Sequence, residues 1–392
     1  MTVARAKVAV AAVFFLNGLA FASWVSRVPA LRDTLELTPG RVGLLLLCLS
    51  GGTVVALPLS GAVVGRLGPA RAVFASAVSV SLGLLGMALG VAAASVPTVG
   101  VGMFVYGVGT SAWDVAMNVE AADVERRLAR TIMPRFHAGF SLGTVLGALV
   151  GAGCARVGIS LAEQLVATVS AIAVVVPFAL RAFLPVIAET AETETRAARP
   201  SLLSAWREPR TLTIGLLVLA FALCEGIAND WLALTLVDGY DANESVAAAG
   251  FGVFVAAMTL GRLFGGTAVE RFGRVNVLRA TAVMVVAGVL AVVMSPGLPG
   301  ALLGAVLWGV GASLGFPLGM SAAADEGSRS AARLAVVSSI GYTAFLGGPP
   351  LVGLLADHVG IRQALLVTCG AAALGLLTSQ AAAANSPAPV DA

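Results

Sequence analysis

Apolar residues run through this chain in blocks of about twenty, and polar residues cluster between the blocks. Twelve such windows stand out, at about 7–28, 41–64, 70–93, 98–121, 136–155, 161–184, 210–236, 246–269, 275–295, 299–322, 334–356 and 362–384. A helix that crosses a bilayer needs about 20 mainly apolar residues, because lipid offers a bare backbone amide no partner. The pattern therefore predicts an all-α membrane protein with twelve transmembrane helices. The first window is too long for a cleaved leader and lacks a small-residue cleavage site, so none is expected.

Composition agrees with that solvent. Of the 392 residues, 58% are hydrophobic and 11% charged, against about 25% charged in an ordinary soluble domain. Charge then supplies orientation. With the N-terminus inside, 19 of the 24 Lys and Arg fall on cytoplasmic segments, Arg262 and Arg271 among them. Arg27, Arg32, Arg41, Arg156 and Arg362 remain outside. That split predicts both termini in the cytoplasm and places the protein in the cytoplasmic (inner) membrane. The net charge of +3 is thus a signal of topology rather than of nucleic-acid binding. Cys48, Cys154, Cys224 and Cys369 stand singly in apolar windows, without metal-binding spacing, and read as small core residues.

The chain divides near its middle into an N-terminal bundle (1–184), a polar linker (185–209) and a C-terminal bundle (210–392). Glu189, Glu192 and Glu194 read as solvated linker charge. The halves repeat each other. Gly61, Gly65, Arg66 and Gly68 align with Gly266, Glu270, Arg271 and Gly273 at a constant offset of 205. "NGLAFASW" at 17–24 echoes "EGIANDW" at 225–231. Two related six-helix halves are typical of secondary transporters with a midplane substrate site.

Those duplicated segments resemble the G-x-x-x-[DE]-R-x-G-R signature of the major facilitator superfamily. The first copy departs from it, with Gly65 at the acid's place. In this reading the leading glycine permits close helix approach and the acid, Glu270, meets the start of the fifth helix near Arg135. Within the superfamily, "FFLNGLA" (14–20), "WDVAMNVEA" (113–121), "HAGFSLGT" (137–144), "EGIANDWL" (225–232) and "GFP" (315–317) resemble the fucose-permease-like, sugar-transporting branch. The first-helix acid of that branch's fucose transporter has Val25 at its place here. The resemblance implies two pseudo-symmetric six-helix bundles, with the fourth and seventh helices bordering a central cavity.

Polar residues inside the windows are the candidate site. A carboxylate at mid-bilayer costs at least about 2.5–3.5 kcal/mol, so it should face a cavity or a partner. Residues four apart share one helix face. Asp114 with Asn118, and Glu225 with Asn229, therefore form one polar stripe in each half. Burial favours a protonated carboxyl, which makes Asp114 and Glu225 the candidate proton carriers. Asn17, Trp113, Asn118, Glu225, Asn229 and Trp231 are the candidate substrate contacts, since an indole beside an acid or amide suits a sugar ring. The bland alternatives are helix-to-helix hydrogen bonds for the acids and amides, and interfacial belts for Trp24 and Trp231. Asp230 is balanced between site and wetted outer position. His137 reads as structural, and Glu120, Asp123 and Glu125 as helix-end partners of Arg126 and Arg127. Gly143, Gly147 and Gly151 read as a close helix crossing, and "GGPPLVG" (347–353) as a bend in the eleventh helix.

No Walker loop, dinucleotide fingerprint, catalytic triad or metal cluster occurs in the sequence. The expectation is a non-enzyme without cofactor or metal, working as a monomer in the bilayer on a small-molecule substrate with a proton. Three function classes stay open: a secondary transporter for a small polar, sugar-like solute; a drug or metabolite exporter of the same superfamily; and a non-transporting membrane receptor.

Overall fold

The computed structural model describes residues 2–128, 132–184, 202–325 and 330–383. The glutamate run and the rest of the linker up to residue 201 lie outside the described residues. Among the described residues the regular structure is helical: α1 (Val3–Val25), α2 (Val28–Thr34), α3 (Pro39–Leu67), α4 (Pro69–Ala92), α5 (Val96–Leu128), α6 (Met133–Arg156), α7 (Leu161–Leu180), α8 (Leu202–Ala205), α9 (Pro209–Tyr240), α10 (Glu244–Phe272), α11 (Arg274–Met294), α12 (Leu298–Ala312), α13 (Gly315–Ala324), α14 (Ser330–Val359), α15 (Ile361–Ala364) and α16 (Val367–Thr378).

Among the described residues eleven stretches are long and apolar enough to cross a membrane, with Leu298–Ala324 and Ile361–Ala382 each counted as one. The twelfth expected span is α5, which at 33 residues has ample length. Its glycines, Thr110, Ser111 and Asp114 make it the most polar of the set. We call the end of the bundle at which α1 begins proximal and the end at which it finishes distal.

The helix ends follow local chemistry. Thr38 caps α3 by accepting a hydrogen bond from the Arg41 amide, and Pro39 opens the first turn, where its missing N–H costs nothing. Ser160 and Glu163 form a reciprocal capping box on α7. The duplicated signature shapes the backbone twice in the same way. Gly68 ends α3 at φ 74°, ψ 159°, and Gly273 ends α10 at φ 78°, ψ 153°. Only glycine adopts that region without strain. Each turn is closed by an equivalent hydrogen bond, to the Val64 carbonyl in one copy and to the Val269 carbonyl in the other. The offset of 205 is thus a structural repeat.

Three expectations are corrected. Gly61 and Gly266 permit no close approach, since a Cβ on either meets nothing within 4 Å. The tenth window is two helices, broken at Ser313–Leu314. Pro317 is the reason: it has no N–H to give the Ser313 carbonyl four residues earlier, so the ladder fails there. The twelfth window is likewise divided, with α15 ending at Ala364 and α16 beginning at Val367.

Packing sorts the chain into two compact units. The first comprises Met1–Thr195, Asn229–Ala256 and Pro349–Ile361; the second comprises Arg196–Ala228, Ala257–Gly348 and Arg362–Ala392. In the first, α6 lies directly on α1. A Cβ at Gly143 would come 1.9 Å from the Phe15 carbonyl oxygen, and Gly147 and Gly151 repeat that contact against Ala22 and Ser26, as the spacing predicts. In the second, Leu217, Val218 and Phe221 of α9 share a core with Leu278, Ala282, Ala322 and Val337. The Trp308 indole N–H donates to the Cys224 carbonyl at 2.9 Å, tying α12 to α9.

Candidate functional site

The α5 stripe stands in the first unit. Asp114 is 18 residues from the distal end of α5, about 27 Å along the axis at about 1.5 Å per residue. Despite that depth its side chain is exposed. Asn118 turns its amide back onto the same residue, donating to the Asp114 carbonyl oxygen at 2.8 Å and to Oδ1 at 3.3 Å. No cation pairs with Asp114 among the described residues. An open, uncompensated carboxylate at this depth is far too costly against lipid tails, so the face that carries it has to be wet.

Its neighbours are packed rather than open. Trp113 is fully buried, and its indole N–H has no acceptor. Asn17, 2% exposed, accepts from Thr110 Oγ1 at 3.1 Å and donates weakly to Met117 Sδ at 3.8 Å. The α1–α5 hydrogen bond is therefore the role the structure gives Asn17.

The α9 stripe is held differently. In the second unit, Arg262 Nη2 donates to both Glu225 oxygens, at 3.1 and 3.0 Å. Arg262 Nε donates to the Ser313 carbonyl at 3.2 Å. That is the carbonyl which Pro317 leaves unpaired, so the helix break supplies the third acceptor of the guanidinium. Arg262, expected among the cytoplasmic basic residues, instead sits ten residues inside α10. The signals that could have found it are an arginine within an apolar window and a Gly-Phe-Pro break in another. Arg262 and Glu225 are 33% and 23% exposed, a half-wet pair.

The next turn of α9 belongs to the first unit. Asn229 and Asp230 are half-buried, and neither side chain has a hydrogen-bond partner among the described residues. Trp231 is fully buried, its ring edge 3.0 Å from where a Cβ on Gly353 would lie. It packs α9 onto α14. Trp24 is buried too, edge-on to Phe21 and Tyr106, so neither tryptophan forms an interfacial belt.

The signature residues sit on the surface of each unit. Arg66, Glu270 and Arg271 are exposed, with the Arg271 guanidinium over the Phe272 ring. Arg135 and His137 are exposed near the start of α6, and His137 lies edge-on to Phe14. Asp123 follows the expected helix-end pairing, with Arg126 and Arg127 at 3.2 and 2.8 Å. Glu125 instead accepts from the Ile132 and Met133 amides, both at 2.6 Å, and holds the first turn of α6. Glu120, 2% exposed, accepts from the Leu184 amide at 2.7 Å. The four cysteines are free, and no metal-binding cluster occurs among the described residues.

Comparison with known proteins agrees with this architecture. The sequence profile described as the Major Facilitator Superfamily matches residues 10–332 and 216–389. The uncharacterized transporter y4wD of Sinorhizobium fredii is 34% identical over 377 residues, covering 91% of this chain and 93% of its own length. Among solved structures, the D323A mutant of the nucleoside transporter NupG superposes with a TM-score of 0.79 at 15% identity, over 96% of this chain and 99% of that one. The Escherichia coli fucose:proton symporter FucP (N162A) superposes with a TM-score of 0.62 at 15% identity, over 95% and 97%. With a profile spanning both halves and a relative matched over nearly its whole length, this chain belongs to the major facilitator superfamily of membrane transporters.

Proposed function

We propose that the protein is a secondary active transporter for a small polar, sugar-like solute, coupled to protons and working as a monomer in the cytoplasmic membrane. The observation that carries this reading is Asp114: a carboxylate at mid-span, open, without a cation among the described residues, with Asn118 beside it. An acid in that setting moves cheaply through a closed state only when neutral, which links its protonation to the conformational cycle. Asn118 and Asn229 supply amide groups that hydroxyls bond. Glu225, the other expected proton carrier, is paired with Arg262. Its part is to hold Arg262 and to face the solute. The polyhydroxylated solutes named for the fold neighbours, a nucleoside and fucose, fit a site of this chemistry. Both termini and the linker are proposed to be cytoplasmic, which makes the distal end the outer one.

The test is a melting-temperature screen of the purified protein with L-fucose, D-xylose, uridine and a cationic amphiphile. Any hit is then followed as proton-gradient-driven uptake in proteoliposomes. Stabilisation by one of the polyols, and uptake that collapses with the gradient, is the expected result. Stabilisation by the amphiphile alone overturns the solute class in favour of an exporter. Single cysteines at 192 and 241 in a Cys-free background check the orientation, the first labelling only from inside and the second only from outside.

A further inference from the structure

We infer that Glu244, Asp238 and Asp357 form a releasable latch across the distal ends of the two halves, resting on the orientation proposed above. Each carboxylate comes from the second half and binds a group of the first. Glu244, in the first turn of α10, takes Arg27 Nε and, at 3.3 Å, Nη2. Asp238, near the end of α9, takes Arg32 Nη1 and Nη2 at 2.6 and 2.8 Å in a bidentate pair. Asp357, near the end of α14, accepts from the Gly40 amide at 3.0 Å, at the N-terminus of α3, where the helix dipole favours an anion. The Ser245 hydroxyl adds a fourth tie, to the Ala152 carbonyl at 2.8 Å.

What distinguishes a latch from a permanent clamp is the arrangement behind these contacts. Stranding a buried guanidinium is strongly destabilising, and the Arg27 side chain is only 3% exposed. Yet Arg27 also donates to Gln164 Oε1 at 2.7 Å and to the Ile159 carbonyl at 3.2 Å, both from its own half. Gln164 is fixed in turn by donating to the Ser23 carbonyl at 2.9 Å. Arg32 keeps Asp33 at 2.5 Å, and the N-terminus of α3 keeps its cap, Thr38. Both first-half arginines thus retain a home partner when the second-half carboxylate leaves. The departing Glu244 and Asp238, 29% and 26% exposed, pass readily into water. Alternating access requires the two bundles to part at this end once per cycle. These contacts are the positioning residues that set the cost of parting.

A single cysteine replacing Asn229, in a background without the four native cysteines, reports the opening through its reaction with a membrane-impermeant maleimide added outside. Asn229 lies nine residues proximal to Asp238 on α9. Glu244→Gln with Asp238→Asn should speed outside labelling by about tenfold, the factor that about 1.4 kcal/mol of lost closure produces. Asp33→Asn removes a home partner and should slow it. A reducible cross-link between cysteines at 32 and 238 should stop it, and reductant should restore it. Unchanged labelling in the Glu244/Asp238 variant, or fast labelling of cross-linked protein, overturns the latch. The readout needs no solute, so a failed solute screen leaves this result standing on its own.

Discussion

The stripes on α5 and α9 share a spelling, an acid followed four residues later by asparagine, and the fold treats them in opposite ways. On α5 the amide of Asn118 serves its own acid, and no arginine pairs with it among the described residues. On α9 the acid is claimed by Arg262, and the amide of Asn229 has no partner among the described residues. The difference originates elsewhere in the chain. Pro317 breaks the tenth span and frees a carbonyl, that carbonyl and Glu225 together hold a guanidinium, and the charge of Glu225 is cancelled. One carboxylate stands without a cation among the described residues, the other has found one. Equal spacing therefore fixes which face a residue takes, and the surroundings fix its chemistry.

The comparison breaks most readily at Asp114. Asp114→Asn should abolish gradient-driven accumulation in proteoliposomes while leaving binding and solute exchange near the parent level, because the amide keeps the size and the contact with Asn118. Retention of uphill transport by this variant would sink the distinction between the stripes. Next in size is Arg262→Ala, which strands Glu225. The loss should be about 2 kcal/mol, below the range for fully buried pairs because this one is half-wet, seen as a lowered melting temperature. Substituting both partners together, Glu225→Gln with Arg262→Gln, should cost under about 1 kcal/mol, since no bare charge remains. A double variant as unstable as Arg262→Ala would show that the pair is not what holds Glu225.

The signature turns offer a control in which the halves should behave alike. Gly68→Ala and Gly273→Ala each force a side chain into a region that only glycine tolerates, at about 1–2 kcal/mol apiece. Unfolding midpoints should fall by similar amounts in the two variants, and a large inequality would show that the repeat is superficial.

Most of the fold was legible because lipid imposes one requirement, that every backbone amide be satisfied within its helix, and the apolar windows report it directly. The breaks at Ser313 and after Ala364 were not legible from apolar length. Hydropathy does not register a missing N–H, although Pro317 carried the information. The site was half legible. Depth and spacing singled out Asp114, Asn118, Glu225 and Asn229. Partnership between distant segments was invisible, so Arg262 was counted among the cytoplasmic basic residues and Trp231 offered as a solute contact when it packs against Gly353. Arg27 and Glu244, separated by 217 residues, likewise carried no mutual sign in the sequence.

We propose that Asp114, open and without a cation among the described residues, exchanges a proton during the cycle. Infrared difference spectroscopy of the protein in lipid, titrated through neutral pH, reads protonated carboxyl groups directly by their C=O stretch. The expected result is a titrating carboxyl band that loses intensity in Asp114→Asn and is unchanged in Glu225→Gln. A band that survives Asp114→Asn and vanishes in Glu225→Gln would contradict it.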